Sequence, residues 1–319
     1  VMSFDAVFAA LQNDFGDRVA LDAGLGEFTT YRVGGRAAIR VRAESPGDVS
    51  SIGKVIAKFG SAFAVIGRGS NLLVADEGFH GIAVTLGEGL AGITITGTTV
   101  HAGGAALLPV VARRTAAAGL TGFEWAVGVP GSIGGAVRMN AGGHGSDMAQ
   151  GLVGVRVVDL ASGDHREMSL ADLGLGFRSS TLGRSLVVTD VELALSAGDR
   201  ATAEAEISEI VRWRRENQPG GSNAGSVFVN PLPDSAGRLV DEAGAKGLRL
   251  RSAEVSTKHA NFIQVDDGGS ANDVAELMAL VRAQVHERTG VDLHAETHFL
   301  GFSTEATEAA GARRVEAIS

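Results

Sequence analysis

Trp125-Ala126-Val127-Gly128-Val129-Pro130-Gly131-Ser132-Ile133-Gly134-Gly135-Ala136-Val137-Arg138-Met139-Asn140-Ala141-Gly142-Gly143-His144-Gly145 is the densest signal in the chain. Glycine recurs at 128, 131, 134, 135, 142, 143 and 145. Glycine in the interior of a helix or strand is destabilising, so neither is expected across this run. A flexible linker is excluded too, because Trp125, Ile133, Val137 and Met139 have no place in one. What remains is a backbone that lies flat against a large planar or diphosphate ligand, with no side chains in between.

A second glycine turn lies upstream. A strand is expected over residues 62–66, and it runs into Gly67-Arg68-Gly69-Ser70-Asn71-Leu72-Leu73. Such a turn points successive backbone N–H groups at one place, and a phosphate is the natural guest. The pattern lacks the third glycine of the dinucleotide fingerprint, and Leu72-Leu73-Val74 continues as strand, not helix. A plain tight β-turn is the alternative. Further upstream stands Phe28-Thr29-Thr30-Tyr31-Arg32-Val33-Gly34-Gly35, followed by an alternating strand at residues 38–42.

Composition sets the outer limits. The 319 residues suffice for two or three modest domains. The 45 glycines show no collagen period. There is no cysteine, which removes disulfides, thiolate metal sites and cysteine nucleophiles. No apolar run reaches about 18 residues, so no membrane-spanning helix is expected. Asp5 and Asp14 are unlike a signal peptide. The net charge of −9 speaks against broad nucleic-acid binding, and an anionic substrate needs a local basic pocket.

Other elements follow from pattern. A short amphipathic helix is expected within residues 1–20. Ser45 and Pro46 open a helix that Gly60 closes. Short β segments fill 82–104, and helices are expected at about 105–118 and 203–217. Strands are expected at 153–160 and 186–195, and a short helix at 239–247. Asn272 or Asp273 caps a strong helix ending at Gly290. The last strand is placed at 293–302, with a polar, alanine-rich tail at 303–319.

Two further groups carry possible chemistry. Asn223-Ala224-Gly225-Ser226-Val227-Phe228-Val229-Asn230-Pro231 sets a serine on a glycine turn, after Arg212, Arg214 and Arg215. It is not the G-x-S-x-G elbow of hydrolases, because Phe228 stands two residues after Ser226. His294, Glu296 and His298 share one strand face, either as a polar cleft wall or as a metal set, and Glu296 is the acid–base candidate.

Taken together, residues 67–71, residues 128–145, Phe177-Arg178-Ser179-Ser180, residues 223–231 and Glu296 resemble the UDP-N-acetylenolpyruvoylglucosamine reductase (MurB) family, in its order and over nearly the whole chain. The resemblance implies an α+β fold of the vanillyl-alcohol-oxidase/MurB FAD-binding type. Two α+β subdomains, 1–86 and 87–215, hold the cofactor. A substrate domain spans 216–302, and the tail at 303–319 joins the first subdomain. It implies non-covalent FAD, reduced by NADPH, and a UDP-sugar substrate reduced in peptidoglycan precursor synthesis. A cytoplasmic monomer with no nucleic-acid or membrane partner and no metal is expected. Arg178 and Glu296 are implied to stabilise the charge that develops on substrate, and Ser226 to deliver a proton.

The implied cofactor contacts are Tyr31, Arg32, Gly67, Arg68, Gly69, Ser70, Asn71, Leu72, Gly128, Pro130, Gly131, Ser132, Gly134, Gly135, Asn140, Gly142 and Gly145. The implied substrate contacts are Asn230, His259, Arg214 and Lys258. Tyr31 is the chain's one tyrosine, which places it with the second type of the family, lacking an inserted tyrosine loop. The chain departs from the family at Asn217 and Val229, where a lysine is usual, and at His144 and Phe177, where a tyrosine is usual. A sugar or alcohol oxidase of the same fold is the competing reading, and rapid oxygen consumption would distinguish it.

Overall fold

The computed structural model describes residues 4–318. Helix α1 (Phe4–Phe15) and helix α2 (Pro46–Phe59) cover a sheet whose strands lie in the order Val19–Gly24, Arg36–Ala43, Phe79–Leu86, Ala62–Ile66, Ala317–Ile318. Local chemistry fixes α2. Ser45 accepts the Asp48 N–H at the amino end, and Gly60 stops it at φ 61. Val49, Ile52 and Ile56 form its buried stripe.

The second sheet is antiparallel throughout, in the order His165–Ser169, Leu152–Asp159, Leu186–Ala194, Thr99–Gly103, Ile93–Thr96. Helices α3 (Leu108–Ala117), α4 (Ile133–Met139) and α5 (Arg200–Asn217) contribute buried residues to its core, among them Val111, Ile133, Val137 and Ile207. Helix α4 corrects the sequence expectation, since it sits inside the glycine run. Packing is the reason: a Cβ at Gly134 would lie 3.0 Å from the Gly104 carbonyl and 3.3 Å from that of Val188. Glycine lets the helix approach the sheet backbone, and that contact overrides a poor helix propensity.

The third region has α6 (Ala236–Glu242), α7 (Ala271–Thr289) and the three-stranded sheet Arg249–Leu250, Ala253–Val255, Ile263–Val265. The amino-terminal cap of α7 is Ser270, not Asn272 or Asp273. Asp76 from the first region also meets this end, accepting from Ala271 N at 2.9 Å and Asn272 N at 3.1 Å. The Asn272 amide is turned to Glu77.

A small parallel sheet ties the strand after residues 67–71 to the carboxyl-terminal part of the chain. Strand His298–Leu300 lies between Leu72–Val74 and Arg313–Arg314, in the register His298↔Leu72, Phe299↔Leu73, Leu300↔Val74. The last strand is therefore shorter than residues 293–302, because its partner after the glycine turn is itself three residues long. The tail is ordered structure: α8 (Thr304–Ala309), capped by Ser303, then the two terminal strands.

Candidate active site

The two glycine stretches face each other. A Cβ at Gly67 would lie 2.8 Å from Ser132 Oγ, and one at Gly131 would lie 3.3 Å from Ser70 Oγ. Gly69 adopts φ +56, and its carbonyl accepts the Thr30 N–H at 3.2 Å. A side chain at Gly69 would strike the Phe28 carbonyl. Among the described residues, none accepts a hydrogen bond from the backbone N–H of Arg68, Gly69, Ser70 or Asn71. Successive free N–H groups in a glycine turn suit a diphosphate. Thr30 Oγ1 and Thr297 Oγ1 are also buried without partners. These observations fit a dinucleotide cofactor.

The remaining implied cofactor residues divide by what their side chains already do. Leu72 is buried in the parallel sheet. Gly135 packs near Ser132 Oγ, and Gly142 against Ser146 and Asp147. Gly145, at φ +83, has open space where a Cβ would lie, and Pro130 is exposed. Asn140 is buried with its amide spent internally: Nδ2 donates to Asp147 Oδ2 and the Gly176 carbonyl, and Oδ1 accepts from Ala149 N. Arg32 is exposed at φ 58. Tyr31 adjoins the cradle, since the N–H of its neighbour Thr30 donates to the Gly69 carbonyl. Its side chain is 0% exposed, packs in the core of the third region and reaches no open surface. Burial pushes its phenol pKa up, and the Ala224 backbone beside the hydroxyl partly offsets this.

Arg178 and Glu296 meet beside this cradle. Arg178 Nε stands 3.0 Å from Glu296 Oε1, with side chains 26% and 21% exposed. Arg178 sits at φ 52, and its Nη2 donates to the Gly142 carbonyl at 3.0 Å. The turn of residues 67–71 reaches the same place: Asn71 Nδ2 donates to the Glu296 carbonyl at 3.0 Å. Ser226 is half-buried on an extended segment whose next residue, Val227, accepts the Glu296 N–H at 2.7 Å. The structure thus pairs Arg178 with Glu296 and runs the segment of Ser226 alongside that of Glu296.

Electrostatics distinguish the two acids and bases here. Burial raises the pKa of Glu296, and the Arg178 charge partly offsets this. His298 is pulled down to about 4 by burial, then by Arg313, Arg138 and Arg184, so it is neutral at physiological pH. Its Nδ1 lies 3.4 Å from Asn71 Nδ2. His294 is exposed, and its carbonyl accepts from Val229 N.

The basic candidates are partly occupied. Arg214 Nε donates to Gln218 Oε1 at 2.8 Å, and its stem lies beside Gly128 and His144. Lys258 Nζ donates to the Arg215 carbonyl at 2.6 Å, at the end of α5. Asn230 Oδ1 accepts from Ala236 N, at the start of α6. His259 Nδ1 accepts from Asn261 N at 3.2 Å, and burial, then Lys246, lowers its pKa. Asn261 is not singled out by the sequence, because the Phe228 backbone that its amide bonds lies 33 residues earlier.

The arrangement has clear relatives. Residues 37–169 match the protein-family model described as FAD binding domain. With the paired glycine cradle, this defines a flavoprotein of the FAD-dependent oxidoreductase class. Residues 217–300 match the model described as UDP-N-acetylenolpyruvoylglucosamine reductase, C-terminal domain. The UDP-N-acetylenolpyruvoylglucosamine reductase of Bacillus licheniformis is 38% identical over 280 residues, covering 87% of this chain and 92% of the relative. That of Bacillus subtilis is 37% identical over 287 residues, covering 89% and 94%. The crystal structure of MurB from Thermus caldophilus superposes with a TM-score of 0.76 at 34% identity, covering 88% of this chain and 98% of that one. This chain belongs to the UDP-N-acetylenolpyruvoylglucosamine reductase family.

Proposed function

We propose that this chain reduces the enolpyruvyl double bond of UDP-N-acetylenolpyruvoylglucosamine to give UDP-N-acetylmuramate, with NADPH as reductant. FAD, when bound, supplies the hydride relay between NADPH and C3 of the enolpyruvyl group. The turn of residues 67–71 and the loop around Gly131 and Ser132 hold its diphosphate.

The chain's own residues manage charge and protons. Charge develops on C2 and spreads to the substrate carboxylate as C3 gains a hydride. Arg178 is aimed at that charge, its guanidinium pinned by Glu296 and the Gly142 carbonyl before substrate arrives. Glu296, with its raised pKa, retains a proton above the ordinary carboxylate range and donates a hydrogen bond to the same oxygens. Ser226 gives its hydroxyl proton to C2, and solvent returns one to the serine. Hydride at C3 and proton at C2 together saturate the bond. Arg214, Lys258, His259 and Asn230 meet the sugar nucleotide.

Residues 1–86 and 87–215 act as the two cofactor subdomains, 216–302 as the substrate domain, and the tail at 303–319 as an edge of the first. The proposed setting is a cytoplasmic monomer. The observation that carries this reading is the 3.0 Å Arg178–Glu296 pair beside the Ser226 segment. Its test is anaerobic: bleach the bound flavin with NADPH, then add the enolpyruvyl sugar nucleotide. Return of the oxidised spectrum without oxygen supports the reading, and return only on admitting air overturns it.

A further inference from the structure

The segment that carries Ser226 belongs to none of the sheets. Ser226 and Phe228 each make only an isolated bridge, to Phe262 and Ala295. On one side, Val227 O accepts from Glu296 N at 2.7 Å, and Val229 N donates to His294 O at 2.9 Å. On the other side, a single side chain takes the place of a strand. Asn261 Oδ1 accepts from Phe228 N at 2.9 Å, and Asn261 Nδ2 donates to Phe228 O at 2.8 Å. The Asn261 carbonyl accepts from Val227 N at 2.8 Å. Asn261 is 3% exposed, so water does not compete for these bonds.

The loop before Ser226 does not fix its direction. Gly225 stands at φ +78 with nothing near enough to meet a Cβ, and its N–H is held only by Asn223 Oδ1 at 3.0 Å. A glycine pivot in open space leaves Ser226 to be aimed from its carboxyl side. Asn261 does this with both a donor and an acceptor at the spacing of a peptide group, a combination that aspartate lacks and that glutamine presents one methylene further out. His259 in turn holds Asn261: its Nδ1 accepts the Asn261 N–H, which requires a neutral ring with the proton on Nε2.

We propose that Asn261 is a positioning residue for the proton transfer, acting through Val227 and Phe228 to hold Ser226 against the Glu296 segment; this rests on the reading of Ser226 as the proton donor. Asn261→Asp keeps the acceptor for Phe228 N but sets a carboxylate oxygen against the Phe228 carbonyl. Only a protonated carboxyl restores the donor, and burial raises the pKa of such a group. Flavin bleaching by NADPH is expected at the wild-type rate. Reoxidation by substrate is expected to slow about 100-fold at alkaline pH, the scale of a small misplacement of a reacting group. It recovers as pH falls by more than wild type gains over the same range, and the solvent isotope effect on that step grows. Amide exchange of Val227 and Phe228, measured on the protein without substrate, is faster than in wild type at the same alkaline pH. Asn261→Gln guards against a variant that fails to fold. It is expected to reoxidise about tenfold more slowly than wild type at every pH, with a profile parallel to that of wild type.

A pH-independent loss in Asn261→Asp, an equal loss in both half-reactions, or unchanged amide exchange overturns the proposal. Ser226→Ala separates the two ideas. If it reoxidises at the wild-type rate, the proton-donor reading falls and this inference with it. If it is slow while both Asn261 variants are normal, the positioning role alone is wrong.

Discussion

Arg178→Lys keeps a positive charge at the site and removes the fork. The guanidinium makes two separate bonds from fixed positions, Nε to Glu296 Oε1 and Nη2 to the Gly142 carbonyl, each 3.0 Å long. A lysine ends in one compact ammonium on a flexible stem and cannot hold both anchors while facing substrate. One charge-assisted hydrogen bond is therefore lost in the resting protein. Such bonds contribute about 1.5–3 kcal/mol, and partial exposure of both side chains places this one at the lower end. The backbone strain at φ 52 is common to both side chains and cancels. Loss of one preorganised donor in the transition state costs about 3 kcal/mol, or a rate factor of about 100 to 1000. Stopped-flow spectrophotometry on the pre-reduced protein reads this directly. The expected result is reoxidation by substrate slowed by that factor, with NADPH bleaching and flavin content near wild type. A loss below about tenfold, or an equal loss in both half-reactions, would refute the role given to the fork.

Glu296→Gln tests the proton held on the carboxyl. Burial raises the Glu296 pKa, so the acid form is lost as pH rises through that shifted value. Wild-type reoxidation should therefore fall on the alkaline side, while the variant, slower throughout, should lack that limb; parallel pH profiles would contradict the assignment. The same shift makes the folded state more stable below the unfolded carboxyl pKa and less so as pH rises through the folded one, so melting temperature should depend less on pH in the variant. Gly69→Ala places a side chain against the Phe28 carbonyl at a left-handed φ of +56. The conformation alone costs about 1–2 kcal/mol. Lower melting temperature and flavin content are expected, and a variant that melts and retains flavin like wild type would count against a constrained turn.

Local signals carried much of the architecture. Ser45, Pro46 and Gly60 bound α2 in the sequence as in the structure, because caps act within one turn of backbone. The glycine turn at 67–71 was legible for the same reason. What was not legible depends on distant partners. Helix α4 exists because Gly134 approaches the Gly104 and Val188 carbonyls, which no window around residue 134 contains. The α7 cap is Ser270, where Asp76, nearly two hundred residues earlier, meets the helix end. Strand His298–Leu300 was drawn too long because its length is set by Leu72–Val74, more than two hundred residues earlier. Within the site, the residue types of Arg178, Glu296 and Ser226 could be singled out, but only the fold shows Asn71 bonding the Glu296 backbone.

The central claim is that Ser226 donates a proton to carbon and attacks nothing. Its most direct test is Ser226→Ala followed through each half-reaction under anaerobic conditions. NADPH should bleach the flavin at the wild-type rate, and reoxidation by the enolpyruvyl sugar nucleotide should fall by about 100-fold or more, the lower end of what a general acid contributes. Reoxidation at the wild-type rate, or an equal loss in both steps, would contradict the account.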